Sequence, residues 1–172
     1  MERFNIGDKV IYPNQGLGVI EEIQQESYYG QELKIFYVRL LSCNTLVKVP
    51  SSNADEIGIR KPVSEEMVNK IFGYFKNGDV DVNLNWKGRY KTHQDLMRSG
   101  TLLDVAHVLK SLYYLNLTKP LSFREKKMME KAQELIVTEV SEVSSQPFGT
   151  IEERLLAILT ACFEDISARA DS

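Results

Sequence analysis

Between residues 101 and 153, three hydroxyl residues are each followed three positions later by an acid: Thr101 with Asp104, Ser122 with Glu125, and Thr150 with Glu153. A hydroxyl at a helix N-cap accepts from backbone N–H groups that the first turn leaves without partners, and the acid meets the positive end of the helix dipole. The spacing therefore predicts three consecutive helices, to about Asn116, Ser144 and Ala168. Two more precede them. Ser64 caps Glu65 to Lys76, with Asn77-Gly78 as the stop, and a helix from about Trp86 to Ser99 is ended by Gly100. Apolar residues recur at helical spacing in each, as in Met67, Val68, Ile71, Phe72 and Phe75, or Ile151, Leu155, Ile158, Leu159 and Phe163. Residues 63–172 are expected to form a compact all-α domain of about five helices.

The preceding 62 residues follow a different rule. Short runs rich in β-branched and aromatic residues (Gly7 to Tyr12, closed by Pro13, then Leu17 to Tyr29, Leu33 to Leu40 and Thr45 to Pro50) alternate with tight connections at Asn14-Gln15-Gly16-Leu17-Gly18, Tyr29-Gly30-Gln31-Glu32 and Ser42-Cys43-Asn44. This pattern predicts a small antiparallel β-barrel of the Tudor or SH3 type, so the whole chain is α+β. Residues 53–62 are expected to leave the barrel as a loop or a last short strand. Barrels of this size commonly bind a partner by adding a strand at an exposed edge.

No enzyme chemistry stands out. There is no Ser/His/Asp, Cys/His or paired-carboxylate set, and Gly16-Leu17-Gly18 lacks a Walker lysine and a following helix. Cys43, Cys162, His93 and His107 show no metal-ligand spacing, so no metal, cofactor or small-molecule ligand is expected. There is no apolar run of membrane-span length, and Met1 to Asp8 has no signal-peptide core, which leads us to expect a cytoplasmic protein.

The net charge of −3 is not that of a free-standing DNA binder. Its distribution is uneven: residues 87–131 hold 10 Lys or Arg against 4 Asp or Glu. Within that stretch, Trp86-Lys87-Gly88-Arg89-Tyr90-Lys91 contains the single Trp of the chain, and Arg124, Lys126, Lys127 and Lys131 cluster at the start of a helix. Cations beside an aromatic suit a phosphate backbone and its bases. Trp86, Tyr90, His93 and Met97 also share one helical face, which a bundle could bury instead.

The order and spacing of several motifs resemble the CarD family of bacterial RNA-polymerase-binding transcription regulators, which includes the CdnL proteins. The markers are Gly7-Asp8-Lys9-Val10-Ile11-Tyr12-Pro13 with Gly16, Val49-Pro50, Val63 to Lys70, Trp86 with Arg89-Tyr90-Lys91, and Leu121-Ser122-Phe123 with Glu125-Lys126-Lys127-Met128. The resemblance implies a polymerase-interaction domain over 1–62 that docks on the β subunit of RNA polymerase, in the holoenzyme with its primary sigma factor. Val38, Lys48 and Pro50 correspond to positions of that contact. It also implies a DNA-contacting domain over 63–172 that meets promoter DNA at the upstream fork junction. There Trp86 would wedge into the minor groove and stabilise the open complex, with Lys87, Arg89, Lys91, Phe123, Lys126 and Lys127 around it. Association with the nucleoid would follow through the polymerase. The family usually carries two adjacent arginines, and this chain has Gly88 in place of the first. An adaptor that binds only proteins is the alternative reading.

Overall fold

The computed structural model describes residues 4–77, 80 and 86–164, and the side chains of Trp86 and Lys87 fall outside that description. The chain divides into two compact units, Met1–Pro62 and Val63–Ser172.

In the first unit, strands β1 (Lys9–Tyr12), β2 (Gly16–Tyr28), β3 (Gln31–Leu40) and β4 (Thr45–Pro50) form an antiparallel meander in the order β1-β2-β3-β4. The sheet is curled into a half-barrel. The β2–β3 hairpin turns on Tyr29 and Gly30, both at positive φ (51° and 80°), a geometry whose twist matches that of the strands it joins. Alternation along the strands sends Val10, Ile20, Phe36, Val38, Leu40 and Val49 into one core with Phe4.

Residues 53–57, expected as loop or strand, lie instead in a helix, α1 (Ser51–Ile57), ended by Gly58 at φ 91°. No side chain caps its start; Ala54 is buried against the sheet, and Gly58 donates to the Ala54 carbonyl at 3.0 Å. Tertiary burial holds this short helix where local signals are weak. The chain then pairs with the outer edge of β1 through reciprocal Ile11–Arg60 backbone bonds of 2.7 and 3.2 Å.

Gly18 is needed for close approach. A Cβ there would lie 2.8 Å from Val38 Cγ1 and 3.2 Å from the Arg39 carbonyl oxygen. Neither neighbour can yield, since Val38 is enclosed and the other atom is backbone. Gly18→Ala is expected to destabilise the sheet unit by about 1–3 kcal/mol. A denaturation midpoint equal to wild type would show that the strands can separate there.

The second unit contains α2 (Glu65–Lys76), α3 (Trp86–Ser99), α4 (Leu102–Thr118), α5 (Phe123–Ser144) and α6 (Phe148–Cys162). Ser64, Thr101 and Ser122 cap α2, α4 and α5, accepting from the N–H groups of Met67, Asp104 and Glu125 at 3.2 Å each. The predicted cap at Thr150 is displaced. Helix α6 starts three residues earlier, after Pro147, because Ser145 in the left-handed region reverses the chain and Pro147 presets φ near −60°. Its predicted end near Ala168 lies outside the described residues.

Helix α4 is the most enclosed, with Val105, Ala106, Val108, Leu109 and Leu112 all in the core. Lys110 is buried with them. Its ammonium donates to the Tyr74 carbonyl at 2.7 Å and lies 4.3 Å from the Tyr74 ring. That carbonyl belongs to the last turn of α2, where a helix leaves acceptors unpaired and its dipole favours a cation.

Candidate functional site

Helices α3 and α5 meet near their N-termini. Arg89, three residues into α3 after Trp86, directs its guanidinium at Glu125, the third residue of α5. Nε donates to Oε2 and Nη2 to Oε1, both at 2.9 Å, a side-on bidentate pair. Arg89 is 15% exposed at its side chain and Glu125 only 1%. The paired carboxylate raises the Arg89 pKa further, outweighing the opposing effect of burial. Glu125 also lies where the α5 dipole favours negative charge. Arg89, expected to contact phosphate, is therefore already engaged inside the protein.

The other face of α3 separates cleanly. His93 and Met97 point into the bundle, Gly88 and Tyr90 are half-buried, and Lys91 and Arg98 are exposed. Thr92 Oγ1 donates to the Gly88 carbonyl at 2.9 Å, one side-chain bond in the turn that the glycine weakens. At the start of α5, Leu121 is buried and Phe123 is 75% exposed. Lys127 Nζ lies 5.5 Å from the Phe123 ring centroid and 3.6 Å from a Glu130 carboxylate oxygen, while Arg124 and Lys126 are exposed. An exposed aromatic rimmed by cations thus projects beside the start of α3. The side chains of Trp86 and Lys87, the first two residues of α3, lie outside the described residues.

Behind this apex, His93 stacks edge-on toward His107, with ring centroids 6.5 Å apart, and His107 Nδ1 shares a 2.9 Å hydrogen bond with the Tyr74 hydroxyl. Burial, then the neighbouring His107, pushes the His93 pKa down to about 4; Glu125 acts in the opposite direction and Arg89 in the same one. Its buried Nδ1 has no hydrogen-bond partner among the described residues. A histidine on an amphipathic face gave no hint of this.

On the sheet unit, the three expected contact residues separate. Lys48 is exposed on β4, with its ammonium 5.3 Å from the Tyr37 ring centroid and 3.6 Å from Glu26. The Tyr37 hydroxyl donates to the same Glu26 carboxylate. That bond, followed by burial, raises the Tyr37 pKa, while Tyr37 and Glu26 together raise that of Lys48. Pro50 is half-buried at the end of β4, where α1 begins. Val38 is 0% exposed and belongs to the core, so its side chain cannot offer a surface contact. The strand β4 itself forms one margin of the sheet, opposite β1.

Among the described residues, no group of three His, Cys, Asp or Glu side chains could hold a metal ion, and no helix is long and apolar enough to cross a membrane. A four-stranded sheet with β4 at one margin and a helical bundle with a cation-rimmed aromatic apex make this a two-module α+β protein. Residues 4–63 match the CarD-like/TRCF RID domain and residues 70–155 match the CarD C-terminal domain. The chain is 33% identical over 138 residues to YdeB of Bacillus subtilis (strain 168), a candidate transcription factor, covering 80% of this chain and 90% of that protein. It is also similar to the solution NMR structure of the 72-residue N-terminal domain of Myxococcus xanthus CarD, with 34% identity, 34% of this chain and 79% of that chain covered, and a TM-score of 0.30. The chain belongs to the CarD family, and its role is that of a transcription regulator.

Proposed function

We propose that the sheet unit docks on the β subunit of RNA polymerase, in the holoenzyme with its primary sigma factor. The helical unit then contacts promoter DNA at the upstream edge of the melted region. The RID match over residues 4–63 supports an interaction with polymerase. The place of β4 at one margin of the sheet supports the mode, since an edge strand can accept a strand from a partner. Lys48 and Pro50 flank that margin, and Val38 contributes by holding β3 in place from within.

The observation that carries the DNA half is the apex. Phe123 stands exposed among Lys126 and Lys127 at the start of α5, against the first turns of α3, where Trp86 and Lys91 lie. Lysines neutralise phosphates while aromatic wedges unstack a deformable junction. Trp86 enters the minor groove and disfavours reannealing of the bubble. Docking on polymerase raises the local concentration of DNA for this weakly charged surface, which reconciles DNA contact with a net charge of −3.

With purified polymerase, Trp86→Ala is expected to shorten open-complex lifetime by on the order of tenfold, corresponding to about 1.4 kcal/mol of lost preference for the junction. An unchanged lifetime would remove the wedge. Lys48→Glu should weaken capture of the isolated β subunit without altering the stability of the helical unit. Full retention of capture would move the docking surface elsewhere.

A further inference from the structure

We propose that Arg89 is a positioning residue that clasps the start of α3 to the start of α5, and that it does not read DNA phosphate. The functional half of this inference rests on the wedge reading above; the structural half stands alone.

Three observations carry it. The guanidinium is committed in a geometry that leaves little for another ligand: Nε and Nη2 both address Glu125, and the side chain is 15% exposed. Its partner cannot turn away to release it, because Glu125 is 1% exposed and sits in the first turn of a helix whose Ser122 cap fixes its backbone. Finally, the pair lies where α3 most needs an anchor. One turn earlier is Trp86, one residue earlier is Gly88, and the first turn of α3 contains no acid to complement the dipole.

A helix start weakened by glycine frays within its first turn, and a side chain carried on a fraying turn pays in entropy whenever it inserts into DNA. A bidentate fork at the fourth residue fixes both the distance and the rotation of α3 against α5. It thereby fixes Trp86 relative to Phe123, so the apex is assembled before DNA arrives. Glu125 has a second role in consequence, as it both occupies the third position of the α5 cap and holds α3.

Two conservative substitutions separate the clasp from a phosphate contact, because the readings predict opposite outcomes. Arg89→Lys keeps the positive charge but loses the fork. Glu125→Gln keeps the shape and frees the arginine. The clasp predicts that each shortens open-complex lifetime by roughly tenfold, the scale of losing charge-assisted hydrogen bonds. It also predicts that neither changes the slope of DNA affinity against salt. A phosphate contact predicts near-normal lifetime for Arg89→Lys. For Glu125→Gln it predicts a lifetime at least as long as wild type, with a salt slope steeper by about one; those results would overturn the proposal.

Amide hydrogen exchange on the full-length protein without DNA gives an independent readout. Both variants should lose protection most strongly across the first two turns of α3, with a shift in Trp86 emission, while α4 and α6, whose amides report opening of the whole unit, lose less. Unchanged α3 protection overturns the clasp, as does an equal loss throughout the bundle, which would make the pair a general stabiliser. If wild type itself does not prolong the open complex, the wedge reading fails, and the exchange pattern still decides the clasp.

Discussion

Arg89→Met is expected to lower the stability of the helical unit by about 3–5 kcal/mol. The loss comes less from the attraction removed than from the carboxylate left behind. Glu125 is 1% exposed and receives two hydrogen bonds from the guanidinium, so truncating Arg89 removes both from a buried carboxylate that cannot rehydrate. The double change Arg89→Met with Glu125→Leu should recover most of the loss, since replacing both members of a buried pair by apolar groups is often nearly neutral. Urea unfolding followed by Trp86 fluorescence reports on this unit specifically, because the only Trp of the chain lies within it. A double variant no more stable than Arg89→Met would show that the deficit comes from packing and not from charge.

The second large effect is on pH dependence. His93 is held neutral, with its pKa lowered from the ordinary 6.5 to about 4. Its contribution is therefore fully present above pH 6.5, where native and unfolded states both leave it uncharged. Below that the unfolded chain takes up a proton that the native state refuses, and stability falls as pH drops toward 4. The loss approaches about 3 kcal/mol over that window, at roughly 1.36 kcal/mol per unit. Carboxylates titrate in the lower part of the same range, so the measurement is a difference: wild type against His93→Leu, each unfolded in urea at pH 7 and pH 4.5. Wild type should lose more. Equal losses would mean that water reaches the His93 ring and relieves its burial.

These two positions show where sequence reasoning succeeds and where it stops. Helices α2, α4 and α5 were legible because Ser64, Thr101 and Ser122 act locally: hydroxyl, backbone N–H and acid lie within four residues of one another. The strands were legible for a similar reason, since turns and alternation are short-range. Helix α1 was not, because its stability comes from Ala54 meeting the sheet and no local cap marks it. The partner of Arg89 is not legible in the sequence on the same principle. Within a basic segment Arg89 resembles its neighbours, and only the fold brings it against a glutamate 36 residues away. The burial of Val38 did have a usable signal. Val38 shares the parity of Phe36 and Leu40, which marks an inward-facing residue, whereas Tyr37 and Arg39 take the opposite face of β3.

The pairing of positions 89 and 125 also bears on how such a protein can change through descent. Neither residue can be exchanged alone without stranding its partner, and a fork cannot be replaced stepwise by a point charge. The two codons therefore form one unit of inheritance: lineages should keep both or lose both.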